Sequence, residues 1–474
     1  MGASWFDRLL SSIADRGRAW VKIPTGVPPL EQALQLSRSL ISERGEASGA
    51  ALARALVESL RALGEADRLS YYRHLADEFA PDPARLRIAA EAYLAAPSPA
   101  TALVLGEVAE PPRQELLRRI NMAPGGTGML VRMREALLPL LREHPDLTPL
   151  DADLRHLLGS WFNRGFLELR RIDWHHTPAA ILEKLIAYEA VHEIKGWPDL
   201  RRRLARDRRC FAFFHPALAD EPLIFVEVAL VNGLSEAVQP LLDQPGQIEE
   251  PKAPDTAIFY SISNCQKGLR GISFGNFLIK QVVEDLKAET PSLVQFATLS
   301  PVPGFRRWLD ARFDEGAKHM LTAEERVAIA GLADMKGAKG AFRRLLQTTG
   351  WHEDPATAAA IKSPLLRLCA EYLTASNDGK GPTDPVARFH LGNGARLERV
   401  DYLANTAPRG FKESYGVMVN YLYDLDRIEA NHEAFVRHGT VAHSDAVAAL
   451  VAQSHRARGG VTSLLGFTSR RTAS

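Results

Sequence analysis

The sequence predicts an α-helical N-terminal domain followed by an α/β domain. Three observations predict it. Up to about residue 155, apolar side chains recur at helical spacing with almost no β-branched alternation. From about 156, short runs of β-branched and aromatic residues alternate with helical patterns. The length, 474 residues, exceeds one compact core and suits two or three domains of the usual ~100–200 residues.

In the first region, Leu30 to Leu40, Ala50 to Leu63, Ala84 to Ala96 and Met129 to Arg142 are Ala- and Leu-rich with helical periodicity. Gly45, Pro81, Pro83, Pro97, Pro99 and Pro124-Gly125-Gly126 punctuate them. Residues 1–155 carry many apolar faces and no evident chemistry, which predicts packing or oligomerisation.

The second domain is expected over 156–460. Thr177-Pro178 reads as an N-cap and a first-turn proline, opening a helix that runs to Ile194. Cys210 to His215 and Leu223 to Leu230 flank Ala219-Asp220-Glu221-Pro222, a strand–turn–strand signal. Ala257 to Ile262 is a further strand, Asn276 to Lys287 a helix, and Leu293 to Leu299 a strand. Residues 310 to 372 return to helical patterns, with Thr322 and Glu325 at capping-box spacing. Thr374 to Asp384 is a polar loop. Phe389 to Leu403 and the alternating aromatics of Gly416 to Leu425 follow, then a last helix from about Ser444. Residues 461–474 are expected to be a disordered tail.

Charge and composition exclude several classes of function. Lys plus Arg number 58 against 57 Asp plus Glu, so there is no electrostatic footprint for nucleic acid or an anionic membrane. The cluster Arg201-Arg202-Arg203 through Arg208-Arg209 reads as a solvated helix face and turn. Cys210, Cys265 and Cys369 are too far apart for a metal or disulfide framework, which predicts no metal site and a reducing cytoplasm. No run approaches the ~18–20 apolar residues of a membrane-spanning helix. Neither a secretory leader nor a peroxisomal tripeptide is visible.

One turn carries a candidate for chemistry. Arg270-Gly271-Ile272-Ser273-Phe274-Gly275 follows a strand and, with Asn276, opens a helix. Helix starts hold anions because their first N–H groups lack partners, and glycine lets the backbone approach a phosphate. The segment fits the pyrophosphate pattern of GNAT-type acyltransferases, except that Ser273 stands at the first glycine position. By itself such a segment is more often a plain turn. Pro124-Gly125-Gly126-Thr127-Gly128 has no strand before it and reads as a helix–helix turn. A dinucleotide glycine motif after a strand is absent. Ser300 follows the strand Leu293 to Leu299 and precedes Pro301 and Pro303, which fix the chain's exit. Alone it is a strand-end serine. His390 is either a proton donor at neutral pH or a buried structural histidine. His215, Asn264, Asn420, Tyr421 and Tyr423 are lesser candidates; His175-His176 reads as surface. Tyr421 and Tyr423 share one face if their segment is a strand.

With Ser300-Pro301-Val302-Pro303-Gly304-Phe305 added, the stretch Phe259 to Leu309 resembles the malonyl-CoA decarboxylase family. So do Arg388-Phe389-His390-Leu391-Gly392-Asn393-Gly394-Ala395, Arg209 to Pro216, Glu221-Pro222-Leu223, Gly416 to Tyr421 and Pro124-Gly125-Gly126-Thr127. The resemblance implies a helical oligomerisation domain, a GNAT-like CoA-binding catalytic domain and a homotetramer. It implies catalysis by Ser300 and His390, which also contact substrate. It places CoA at Arg270, Gly271, Ile272, Ser273, Phe274, Gly275 and Asn276; the groups that meet the 3′-phosphate stay open, with Lys267 and Arg270 as candidates by charge alone. The implied reaction takes malonyl-CoA to acetyl-CoA and carbon dioxide through a thioester enolate, with no cofactor. The alternative is a GNAT-type acetyltransferase using the same cradle with an amine acceptor; a non-catalytic scaffold leaves the His390 segment unexplained.

Overall fold

The computed structural model describes residues 5–218, 220–243, 253–272, 278–315, 320–332, 338–375, 379 and 381–459. Ser273, Phe274, Gly275 and Asn276 of the expected cradle lie outside the described residues, as does the expected tail. The chain forms two compact units. The first comprises residues 1–170, 213–224 and 264–275; the second comprises 171–212, 225–263 and 276–474. A helical N-terminal region followed by a mixed α/β region is the class the sequence predicts.

In the first unit the helices Pro29–Ser42, Glu46–Ala62, Glu65–Asp77, Pro83–Ala95, Pro99–Ala109, Pro112–Asn121, Gly126–Leu137 and Thr148–Trp161 follow one another. Prolines stand in the first turn of several, where the missing N–H is no loss. Asp82 caps one helix, and Ser98 with Thr101 forms a capping box on the next. Leu36, Leu56, Tyr71, Leu75, Leu116, Leu117, Leu130 and Leu154 are fully buried.

Among the described residues eight strands make one sheet: β1 (Glu168–Ile172), β2 (Arg208–Phe214), β3 (Ile224–Val231), β4 (Thr256–Asn264), β5 (Gln295–Thr298), β6 (Ser300–Pro301), β7 (Arg396–Asp401) and β8 (Met418–Leu422). Their order is β1-β2-β3-β4-β5-β8-β6, with β7 also on β8. β4 and β5 run parallel; β8 runs antiparallel to β5, β6 and β7. Interior strands are near-continuous apolar runs because both faces are covered. In the second unit Ala229, Val238, Ile258, Tyr260, Ala297, Leu299, Ala404 and Met418 pack as one core cluster.

Three expectations fail for physical reasons. The helix from Ala179 ends at Tyr188, short of Ile194. Glu189 turns away because its carboxylate accepts the N–H groups of Val191 and His192 and the hydroxyls of Ser261 and Ser263. Nor is Thr177 the cap: Pro178 holds that position, and the Thr177 hydroxyl accepts the N–H of Asp173. The arginine cluster is not a solvated face. Arg203 is buried between Asp199 and Glu227, Arg202 and Arg208 pair with Asp207, and Arg209 pairs with Glu289. A sheet bearing Glu227 needs inward-facing cations, since an unpaired buried charge is expensive. Among the described residues no helix is long and apolar enough to cross a membrane.

Candidate active site

The sheet and two helices bring Ser300 and His390 together in the second unit. Ser300 opens β6 opposite Val419 of β8. Val302 is fully buried, and Gly304 starts the helix Phe305–Asp314, so the Pro-Val-Pro exit is anchored at once. His390 lies in the last turn of the helix Pro385–Gly392. Its Nε2 is 3.0 Å from the Ser300 Oγ, across 90 residues of sequence.

Each ring nitrogen has a partner. Nδ1 is 2.8 Å from the phenol of Tyr423, just beyond β8. The imidazole stacks on Tyr421 with ring centres 4.7 Å apart and planes at 23°. Both tyrosines thus meet the same histidine, as residues two apart near a strand should. Ser300 Oγ donates to the Thr298 hydroxyl at 2.8 Å, and Thr298 Oγ1 accepts the Tyr421 N–H. His390 is 3 % exposed and Ser300 5 %. Burial pushes the His390 imidazolium down to about 3, so the ring is neutral near pH 7. Donation from an ordinary imidazolium, one of the two readings the sequence left open, does not fit this environment.

Neutral imidazole has one N–H, and the two contacts decide where it sits. Ser300 Oγ gives its proton to Thr298, so the contact with His390 is made by Nε2–H, and Nδ1 accepts the hydrogen of the Tyr423 phenol. Nε2–H then points at Ser300 Oγ, and the Ser300 proton points at Thr298. The result is a directed series of donors: Tyr423, His390, Ser300, Thr298.

A single carboxylate ties the two halves together. Asp384 is fully buried; its Oδ1 accepts the N–H groups of Val386 and Ala387, capping the helix that carries His390. Its Oδ2 accepts the Gly304 N–H at 3.2 Å and the Tyr372 hydroxyl at 3.3 Å. A Cβ on Gly304 would lie 2.2 Å from the Tyr372 oxygen, so glycine is required for this approach. Burial raises the Asp384 carboxyl while its N–H and O–H donors oppose the rise. The sequence reading treated Asp384 as the end of a loop. Asp384-Pro385 is the cap-then-proline signature that could have found it.

Two buried oxygens on β8, the Tyr421 phenol and Asn420 Oδ1, have no protein partner among the described residues. Asn420 Nδ2 donates to the Thr298 and Ser235 carbonyls. His215 lies in the first unit, where the Ala217 N–H donates to Nδ1 and Nε2 faces the Trp161 carbonyl, a structural arrangement. Asn264 ends β4 exposed, and His175 and His176 are exposed around Asp173. Arg270 and Gly271 are exposed in the first unit, with Gly271 at φ +77°, and Ile272 is buried behind them. Lys267 is exposed one turn earlier. Among the described residues no three His, Cys, Asp or Glu side chains converge at metal-binding distance.

Comparison with known proteins gives concordant matches. The sequence profile of the malonyl-CoA decarboxylase C-terminal domain matches residues 165–460, and that of the N-terminal domain matches 79–162. The mitochondrial malonyl-CoA decarboxylase of Anser anser anser is 36 % identical over 354 residues, covering 72 % of this chain and 70 % of the relative. That of Rattus norvegicus is 36 % identical over 349 residues, covering 71 % and 70 %. The crystal structure of malonyl-CoA decarboxylase from Rhodopseudomonas palustris superposes with a TM-score of 0.80 at 51 % identity, covering 88 % of this chain and 98 % of its own. The structure from Agrobacterium vitis gives 0.79 at 50 % identity, covering 88 % and 99 %.

Proposed function

This chain belongs to the malonyl-CoA decarboxylase family, and we propose that it converts malonyl-CoA to acetyl-CoA and carbon dioxide at the Ser300–His390 pair. The observation that carries the reading is that pair: a serine and a neutral histidine, 3.0 Å apart and buried, with Tyr423 behind the ring.

The Ser300 hydroxyl, turned from Thr298 toward substrate, holds the malonyl carboxylate with its Cα–carboxyl bond out of the thioester plane. That bond breaks and its electron pair enters the thioester carbonyl, so no further electron sink is required. Carbon dioxide leaves and an enolate remains. The enolate carbon is a far stronger base than an alkoxide, so a neutral donor suffices. The Ser300 proton passes to the α-carbon, and the resulting alkoxide is held by the Nε2–H of His390, whose Nδ1 keeps its hydrogen bond from the Tyr423 phenol. One proton taken up from solvent per turnover restores the Ser300 hydroxyl after acetyl-CoA departs. The segment from Arg270 to Asn276 receives the CoA pyrophosphate in this reading, supported by the exposed Arg270 and the left-handed Gly271. The helices Pro83–Ala95 and Pro99–Ala109 expose Ile88, Leu94, Leu103 and Val104, which supports association of copies through this region, as a homotetramer.

Incubation with malonyl-CoA alone, with no amine acceptor, should yield acetyl-CoA; absence of product at neutral pH would sink the proposal. Ser300→Ala and His390→Ala should each lower kcat by roughly 10²–10⁴-fold, the range of a positioned proton donor, with CoA affinity unchanged. Normal turnover in both would reject the site.

A further inference from the structure

Three alternate residues at the end of β8 meet the catalytic pair, all within the second unit. Val419 lies opposite Ser300 in the β6–β8 ladder. Tyr421 lies flat against the His390 ring, with centres 4.7 Å apart and planes at 23°. The Tyr423 phenol meets Nδ1 at 2.8 Å. Residues two apart on extended chain share a face, so one face of this segment carries all three.

His390 is held at two points in the plane of its ring: Nδ1 by Tyr423, and Nε2 at 3.0 Å from Ser300 Oγ. Two in-plane contacts fix the line that joins them and leave the ring free to turn about that line. Turning swings Nε2–H away from Oγ, and hydrogen bonds weaken steeply off their axis. A second ring lying on the imidazole face blocks the turn. Tyr421 is fixed firmly enough to do this. It is 1 % exposed, and its N–H donates at 3.2 Å to the Thr298 hydroxyl, the same oxygen that accepts from Ser300 at 2.8 Å. The platform under the imidazole and the serine at its edge thus share one anchor. Phe389 touches His390 only edge-on, at 5.1 Å and 78°, and leaves that face to Tyr421. The Tyr421 phenol is buried with no protein partner among the described residues, so what Tyr421 gives His390 is its ring and not its hydroxyl.

We infer that Tyr421 is a positioning residue for His390: its ring is the platform that sets the plane of the imidazole, keeping Nε2–H on Ser300 Oγ and Nδ1 on the Tyr423 phenol. The role refines the decarboxylation proposed above and rests on it.

Two readouts test it. One is kcat and KM with malonyl-CoA. The other is the pair of nitrogen NMR signals of the His390 imidazole, assigned by their loss in His390→Gln. A neutral imidazole with its proton fixed on one nitrogen gives two well-separated signals, and a ring that exchanges tautomers draws them together. Tyr421→Leu removes the platform. It should lower kcat about tenfold to a hundredfold, the penalty of a small misplacement, with KM little changed and the two signals drawn together. Tyr421→Phe keeps the platform and lacks only the hydroxyl, so it should restore most of kcat and the wild-type separation of the signals. Tyr421→Met, also without an aromatic face, supplies the measurement if the leucine variant does not fold. Wild-type kcat and signals in the leucine and methionine variants overturn the role. A phenylalanine variant as slow as the leucine variant overturns it too, by moving the effect to the hydroxyl. A wild-type enzyme that makes no acetyl-CoA overturns the decarboxylation reading instead, and the NMR signals then decide by themselves whether Tyr421 sets the ring.

Discussion

At the scale of single residues, the site depends on keeping one histidine neutral. His390 has a folded pKa of about 3 against 6.5 when unfolded. The unfolded chain therefore binds more protons between those values. This residue's contribution to stability is complete above about pH 6.5 and is lost as pH falls toward 3. His192, buried and held at about 4 mainly by desolvation, acts in the same direction. Chemical denaturation of wild type and His390→Gln from pH 7.5 to 4 should show a steeper loss for the wild type; parallel curves would contradict the burial argument. The sequence pointed to Ser300 and His390 through their segments, yet each had a bland explanation in isolation. What it could not show was the pKa, because desolvation is a property of everything packed around the ring. Tyr423 was visible as half of an aromatic alternation, but only the fold puts its hydroxyl on Nδ1. Thr298 gave no signal: it is an ordinary strand threonine until β8 places Tyr421 beside it.

At the scale of elements, Asp384 links the start of the helix Phe305–Asp314 to the start of the helix Pro385–Gly392. Its two oxygens have separable tasks. Asp384→Ser should still cap the second helix, since serine is a good N-cap, but cannot also reach Gly304. We expect near-normal thermal stability with kcat lowered about tenfold to a hundredfold and KM little changed, the penalty of a slightly misplaced catalytic pair. A serine variant with normal kcat would reduce Asp384 to a cap. Elements with strong periodicity were legible: the helices of the first region, β2 to β5, and the Thr322–Glu325 capping box, observed with both of its hydrogen bonds. The failures share a cause. The helix at Ala179 stops early because serines on β4, 72 and 74 residues away, fix Glu189. β1 was missed because Glu168, Arg170 and Arg171 give an edge strand no apolar pattern. β6 has two residues and no periodicity at all; pairing with β8 alone makes it a strand.

For the whole molecule, the proposed assembly gives the sharpest expectation. Leu94→Glu combined with Leu103→Glu puts carboxylates on the exposed apolar helices of the first unit and should lower the mass measured by light scattering. An unchanged mass would place the interface elsewhere. Domain order was legible from composition and periodicity, because helical and strand-rich regions differ along the whole chain. The interleaving was not, since it depends on which neighbours a segment finds. Residues 213–224 and 264–275 belong to the first unit although they are separated from residues 1–170 by segments of the second. This has a consequence for biosynthesis. When residue 170 leaves the ribosome the first unit is still unfinished, and it stays so until residue 275 emerges, by which time β1 to β4 have been made as well. Until then Arg134, on the helix Gly126–Leu137, has neither the Gly268 nor the Arg270 carbonyl that later receives it. Completion of the first unit's contacts therefore waits for residue 275, although residues 1–170 emerge well before it.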